Sequence, residues 1–395
     1  MTGLFPPLDE KTRNILHRLP SVIDRAFPIP GRFRPSLPAG VAELSRLLTS
    51  GRNERGASYL GKPAMLSAYL RYFLPWNVYR LVRLLVSLPI ELKPNDAVND
   101  FGAGPFTLAA ALWISRQELR GIPLEFRCVD RTAAALEAGK KFFAALTASA
   151  GGTESCPWKM IGIRGELKPN GKLSVPIRGK PAALSAAVNL YNELFWNFSP
   201  VDYEGLESFA EKQARLLASL TGSEGFILVV EPGIPRSGEF ISLLRSGLLT
   251  EGFVPLSPCT HSLPCAYPNR AKWCHFAFDT EDAPEELHRL SGAAGIPKER
   301  AVLSFILAGG GSQEIRIQKN KVKIRIISDL FPLDSRNPDN KTSWGRYGCG
   351  ERGPVLVTGS RKALEGTPSG AAEELQLQPG KTDAKSGALL AELNK

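Results

Sequence analysis

From about residue 8 to residue 90, apolar positions recur every three to four residues, the period of an amphipathic helix. The segment Met65–Leu74, resuming after Pro75 as Asn77–Leu85, shows this best. Arg71, Arg80 and Arg83 ride along it, and a solvated basic face is the expectation for them. From about 93 to 250 the pattern changes to short apolar runs alternating with helical stretches. Asp96–Asp100, Leu124–Asp130, Ala182–Leu190 and Gly225–Glu231 predict strands. Phe106–Ser115, a stretch running to about Ala148, and Tyr203–Leu220 predict the helices between them. That alternation implies a mainly parallel sheet with helices on both faces. The turn-rich stretch from about 150 to 180 reads as a long connection with a short hairpin. Beyond about 255, Leu303–Leu307 and Val355–Thr358 predict strands, and Glu314–Gln318 with Val322–Ile327 predict a hairpin turning at Lys319–Lys321. From Glu365 large apolar residues become sparse, and a disordered tail is expected. The expected organisation is a helical N-terminal region (1–90), an α/β domain (91–255), a β-rich, cysteine-containing module (256–364) and the tail (365–395).

The chemistry starts where the first predicted strand meets the first helix of the α/β region, at Asp100-Phe-Gly102-Ala-Gly104-Pro105. Glycines there let backbone approach a ligand, and the helix N-terminus offers free amide donors. The third glycine of a dinucleotide fingerprint is absent. Asp130 ends the next strand, where a carboxylate can accept both hydroxyl protons of a ribose. An acid before a Gly-x-Gly turn, without the phosphate-binding third glycine, favours S-adenosylmethionine over a dinucleotide. Asp100, Gly102, Gly104, Pro105 and Asp130 are therefore the candidate cofactor residues. Asn192 and Glu193, in Asn189-Leu-Tyr-Asn-Glu193, follow the strand at 182–190 and are the candidate catalytic residues, although no amino-group or pyrimidine methylation motif accompanies them.

Cys259, Cys265 and Cys274 crowd one short window, and Cys349 follows after a further 74 residues. This is not the paired spacing of a zinc ribbon. Four thiolates satisfy a [4Fe–4S] cluster, one per iron. Tetrahedral zinc would also take four cysteines, or three with His261 or His275. Cys128, inside a predicted strand, is expected to pack, and Cys156 has no evident partner.

Charge narrows the class of partner. The chain has 395 residues, is 43% hydrophobic and carries a formal charge of +10, which points to a polyanion, with nucleic acid ahead of membrane. No run is long and apolar enough to span a bilayer. The acidic, proline-broken start argues against a secretory signal, so a cytoplasmic, reducing setting is expected. Lys319, Lys321, Lys323 and Arg325 alternate with Val322, Ile324 and Ile326, giving the predicted hairpin a cationic face suited to RNA phosphates. Trp344, Arg346 and Tyr347 are candidates to stack on unpaired bases.

Four pieces occur in order: Asp100-Phe-Gly-Ala-Gly-Pro105, Tyr191-Asn-Glu-Leu194, Val230-Glu-Pro-Gly-x-Pro235 and Cys259-x-His-x-Leu-Pro-Cys265. Together they resemble the methyltransferase-like family associated with the mitochondrial small ribosomal subunit, which has bacterial members. The resemblance implies a class I methyltransferase fold (Rossmann-like, mainly parallel α/β sheet) with a helical N-terminal region and a C-terminal iron–sulfur module. It implies a role in small-subunit assembly or translation through rRNA. It also implies that Cys259, Cys265, Cys274 and Cys349 are the cluster ligands. The alternatives are an active RNA methyltransferase carrying zinc, and a non-enzymatic ribosome-binding module with a vestigial cofactor site.

Overall fold

A computed structural model describes residues 3–51, 54, 59–149, 156–195, 202–269, 272–311, 321–333 and 343–393. The N-terminal region is helical as expected. Helix α1 (Glu10–Ala26) starts at Asp9, whose carboxylate accepts from the Thr12 amide at 2.8 Å. Helices α2 (Leu37–Leu48) and α3 (Pro63–Ala68) follow. A π-helical turn at Tyr69–Phe73 then leads into α4 (Leu74–Leu85). Pro75 has no N–H to give the Arg71 carbonyl, so the turn that precedes it widens.

The solvated basic face expected on this helix is not found. Arg71 is buried and bonded to Asp24 at 3.0 Å, Arg83 meets Asp282 at 2.7 Å, and Arg80 turns toward the cavity described below. Arg71 ties the π-helical turn to α1, and Arg80 and Arg83 tie α4 to elements outside the N-terminal region, which a one-dimensional pattern does not show.

The central sheet takes β1 (Asp96–Phe101), β2 (Leu124–Asp130), β3 (Lys159–Arg164), β4 (Ala182–Val188), β5 (Thr221–Pro232) and β6 (Val254–Ser257). A two-stranded ribbon, β7 (Pro268–Asn269) with β8 (Lys272–Trp273), lies apart from it. Strands β9 (Phe276–Asp279) and β10 (Arg300–Gly309) complete it. Its order is β3-β2-β1-β4-β5-β10-β6, with β9 also paired to β10. The first five strands are mutually parallel, whereas β10 runs antiparallel to both β5 and β6. Helices α5 (Thr107–Ser115), α6 (Ala133–Ser149), α7 (Tyr191–Leu194), α8 (Tyr203–Leu220), α9 (Pro235–Thr250) and α10 (Glu285–Ala293) accompany the strands. This is the mainly parallel, class I methyltransferase-type sheet expected. Its strand order reverses at β1, between β2 and β4, where such sheets open a ligand crevice.

Strand β3 falls in the stretch expected to be a connection. It is a short edge strand with little apolar alternation, paired on one side to β2. The expected short hairpin there is visible as a bridge between Leu167 and Leu173.

A separate sheet forms the C-terminal module from β11 (Val322–Ile326), β12 (Phe331–Pro332), β13 (Trp344–Gly350), β14 (Gly353–Gly359), β15 (Ala372–Leu375), β16 (Leu377–Thr382) and β17 (Leu389–Leu393). The partner expected for β11, at 314–318, and Lys319 lie outside the described residues, and β11 instead pairs with β13 and β15. The expected disordered tail is corrected. Beyond the short helix α11 (Arg361–Glu365), residues 372–393 supply three strands, and Leu375, Ala391 and Leu393 join the core of this sheet. Few apolar residues suffice because the tail adds strands to an existing sheet instead of building a core of its own.

Candidate cofactor cleft and cysteine site

The glycine turn is backbone-determined. Gly102 has φ +69° and Gly104 φ +50°, and Phe106, at φ +62°, caps α5 in the left-handed region. A Cβ on Gly102 would stand 2.9 Å from the Leu190 side chain. The loop is held from β2: Asp130 Oδ2 accepts from the Gly104 amide at 2.9 Å and Oδ1 from the Thr132 amide at 2.8 Å. Each oxygen keeps a second lone pair, the requirement for receiving ribose hydroxyls. Burial raises the Asp130 carboxyl above its ordinary range against those two bonds.

Gly102, Gly104 and Asp130 line a cavity of about 610 Å³, as do Asn192 and Glu193. That volume lies within the usual range for small-molecule sites, roughly 300–1,000 Å³. Asp100 and Pro105 are not in its wall. Asp100 is almost fully buried at the end of β1, one of its oxygens has no hydrogen-bond partner, and burial followed by the nearby Asp130 pushes its carboxyl well above the ordinary range. Burial thus favours the neutral form of Asp100 in the ligand-free protein, and of the two expected carboxylates it is Asp130 that lines the cavity. Pro105 packs behind the loop, where any Cβ on Gly139 of α6 would strike it and Phe106.

Sequence reasoning missed the polar support beneath Asn189–Glu193. Glu231, fully buried at the end of β5, accepts from the Tyr191 amide at 2.7 Å and the Asn192 amide at 3.1 Å. Arg80 reaches Asn189 Oδ1 at 2.5 Å, and Arg131 meets Glu193 at 3.4 Å. Tyr69, Tyr72, Phe73 and Lys298 form another part of the wall. Only Glu231 left a trace in the sequence, inside the Val230–Pro235 motif; the others come from remote segments.

Burial raises the Glu231 carboxyl to about 8, against the two amides and Arg80. Between its ordinary value of 4.5 and about 8 the folded protein holds a proton that the unfolded chain releases, so stability falls as pH rises through that window. Glu231→Gln removes this titration. In denaturant unfolding the variant is expected to gain on the wild type from about pH 5 to about pH 8. A gap that does not change with pH would show that Glu231 stays ionised throughout.

The four cysteines, which come from separate segments, line one second cavity: Cys259, Cys265 and Cys274 after β6, and Cys349 on β13. All four are free thiols. Arg245 of α9 brackets the loop, with Nε 3.3 Å from Cys259 Sγ and Nη2 donating to the His261 and Leu263 carbonyls. His261 Nε2 lies 3.6 Å from Cys349 Sγ. Arg325, expected on an RNA-facing strand surface, instead turns into this cavity and donates to the Pro258 and Gly370 carbonyls. Lys321 and Lys323 are exposed. Burial raises the Cys259, Cys274 and Cys349 thiols, the last to about 12. Among the described residues no three His, Cys, Asp or Glu side chains form a group that could hold a single metal ion. Cys128 is buried in β2, and neither it nor Cys156 lines the cavity.

A family model described as the mitochondrial small ribosomal subunit Rsm22 matches residues 181–329, which run from β4 through β11 and include three of the four cysteines. No curated protein matches the chain. Among solved structures, a candidate class I S-adenosylmethionine-dependent methyltransferase from Listeria monocytogenes is 11% identical, with 78% of this chain and 90% of that one covered and a TM-score of 0.38. Geranyl diphosphate C-methyltransferase from Streptomyces coelicolor A3(2), with S-adenosyl-L-homocysteine, is 10% identical, with 69% and 98% covered and a TM-score of 0.35. Magnesium protoporphyrin IX methyltransferase from Synechocystis PCC 6803, with bound S-adenosylmethionine, is 10% identical, with 69% and 97% covered and a TM-score of 0.32. The strand order, not these low scores, defines the fold. No described helix is long and apolar enough to cross a membrane.

Proposed function

We propose that the protein is an S-adenosylmethionine-binding, methyltransferase-like factor of the small ribosomal subunit, acting on rRNA in a cytoplasmic setting, with a [4Fe–4S] cluster on Cys259, Cys265, Cys274 and Cys349. The observation that carries the cofactor half is the Asp130 carboxylate gripping the Gly104 amide at the rim of the large cavity. Gly102, Gly104 and Asp130 would hold the cofactor, which when bound supplies an electrophilic methyl group. Asn192 and Glu193, on the segment clamped by Glu231, are the residues placed to orient an acceptor.

The donor set supports the metal half. Three thiols from one short window and a fourth from β13 meet at one cavity beside two arginines, the donor set a metal group would use. Around one tetrahedral zinc ion the sulfurs would stand about 3.8 Å apart, the edge of a tetrahedron with 2.3 Å bonds. A [4Fe–4S] cluster would take one thiolate per iron with the sulfurs farther apart, and iron, sulfide and zinc analysis distinguishes the two. Lys321 and Lys323 remain the described strand lysines for phosphate contact, while Arg325 belongs to the cysteine site.

The test is sedimentation of tagged protein with ribosomal subunits, run beside transfer of labelled methyl from S-adenosylmethionine to extracted small-subunit rRNA. The reading expects co-sedimentation with the small subunit and incorporation that Gly102→Val abolishes. Co-sedimentation without incorporation would make the protein a binding factor that does not methylate. A protein that neither co-sediments with the small subunit nor transfers methyl overturns the proposal.

A further inference from the structure

The large cavity has a second part to its wall besides the glycine loop, and its chemistry is different. Strand β10 runs antiparallel to β5, so the loop before it, Ile296-Pro297-Lys298, reaches the same sheet edge as the ends of β4 and β5. The widened turn before Pro75 brings Tyr69 and Phe73 to the cavity wall, while the buried Tyr72 donates to the Ile296 carbonyl of that loop at 3.3 Å. Wide turns of this kind recur at functional sites.

Two cations stand in this wall. The Lys298 ammonium lies 5.8 Å from the Tyr72 ring centre and 5.2 Å from that of Trp76, and among the described residues it forms no salt bridge. Arg80 uses its terminal nitrogens on Asn189, Asn77 and the Val302 carbonyl, while its buried Nε has no partner. Glu231, the acid that most offsets Arg80, is already committed to two backbone amides. Burial, and then the charge of Arg80, lower Lys298 to about 8. A largely dehydrated wall with two mutually repelling cations is costly in the free protein and is relieved by an anion.

We propose that this part of the cavity seats a phosphate-bearing ribonucleotide, its phosphate between Arg80 and Lys298 and its base against the partly exposed rings of Tyr69 and Phe73. The assignment rests on the reading of the protein as a cofactor-binding factor acting on RNA, and it names the acceptor side of that same site. Arginine and lysine supply charge-assisted donors to phosphate oxygens, and the rings supply faces on which any base can stack.

The full-length protein, saturated with S-adenosylhomocysteine, is titrated calorimetrically with the four ribonucleoside 5′-monophosphates and with the matching nucleosides. At least one monophosphate is expected to bind about tenfold tighter than its nucleoside, an advantage that shrinks with added salt. Lys298→Gln should erase that advantage and Lys298→Arg should keep it, with affinity for S-adenosylhomocysteine the same in both. Equal binding of nucleoside and monophosphate by the wild type overturns the proposal, and that comparison needs no variant to fold. A tenfold loss of S-adenosylhomocysteine affinity in Lys298→Gln also overturns it, by assigning the cation to the cofactor carboxylate. Wild-type protein that binds no S-adenosylhomocysteine would instead defeat the functional reading beneath it.

Discussion

Replacing Cys274 with serine is expected to strip the proposed cluster and release the C-terminal sheet from the central domain. Cys274 packs against the main core, and Cys349, on β13, is the proposed ligand that comes from the second sheet to the same cavity. Apparent folding energies from a structural metal reach about 10–16 kcal/mol in small zinc domains, so loss of one ligand should be visible as unfolding and not as a slight shift. Anaerobically purified wild type should carry about four irons and matching sulfide per chain. Cys274→Ser should fall to below about one iron, and residues 322–393 should become sensitive to protease. Cys156→Ser, which removes a thiol outside the cavity, should retain full iron. Equal metal content in the two variants would sink the four-cysteine assignment, and zinc in the wild type would replace the cluster with a single ion.

What the sequence could and could not show follows from distance along the chain. The Gly102–Gly104 turn was legible because left-handed backbone leaves glycines behind, and Asp130 because the end of the next strand lies beside that turn. That Asp100 stands behind the loop and not in the cavity wall was not legible, since neighbouring strand residues look alike in sequence whether they face a cavity or the core. Its burial is decided by packing around β1. Arg80 and Lys298 were illegible as a pair: they are brought together by the antiparallel return of β10, and nothing local distinguishes either from a surface cation. Arg325 failed for the opposite reason. The alternation of β11 was read correctly and Lys323 on that face is exposed, but the cysteine loop and the Gly370 backbone take up the Arg325 end of it. The three tail strands escaped because strand addition to an existing sheet needs backbone hydrogen bonds more than large apolar side chains.

Asp130→Ala is expected to weaken S-adenosylhomocysteine binding by about a hundredfold or more, whereas Asp100→Asn should change it by less than about threefold. The first estimate sums two carboxylate hydrogen bonds at about 1.5–3 kcal/mol each. The alanine also frees the Gly104 and Thr132 amides, so the loop loses its anchor along with the ligand contact. The second follows from burial: Asp100 is driven toward its neutral form, and an amide of the same shape replaces a neutral acid without introducing or removing a charge. Calorimetric titration of both variants with S-adenosylhomocysteine separates the two carboxylates that sit at the ends of β1 and β2. If Asp100→Asn proved as damaging as Asp130→Ala, Asp100 would have to ionise when ligand arrives, and the sulfonium cofactor itself would be the charge that stabilises it. A proton would then be released on binding, and the measured enthalpy would vary with the ionisation heat of the buffer. With Asp100 protonated before and after, that dependence should be absent.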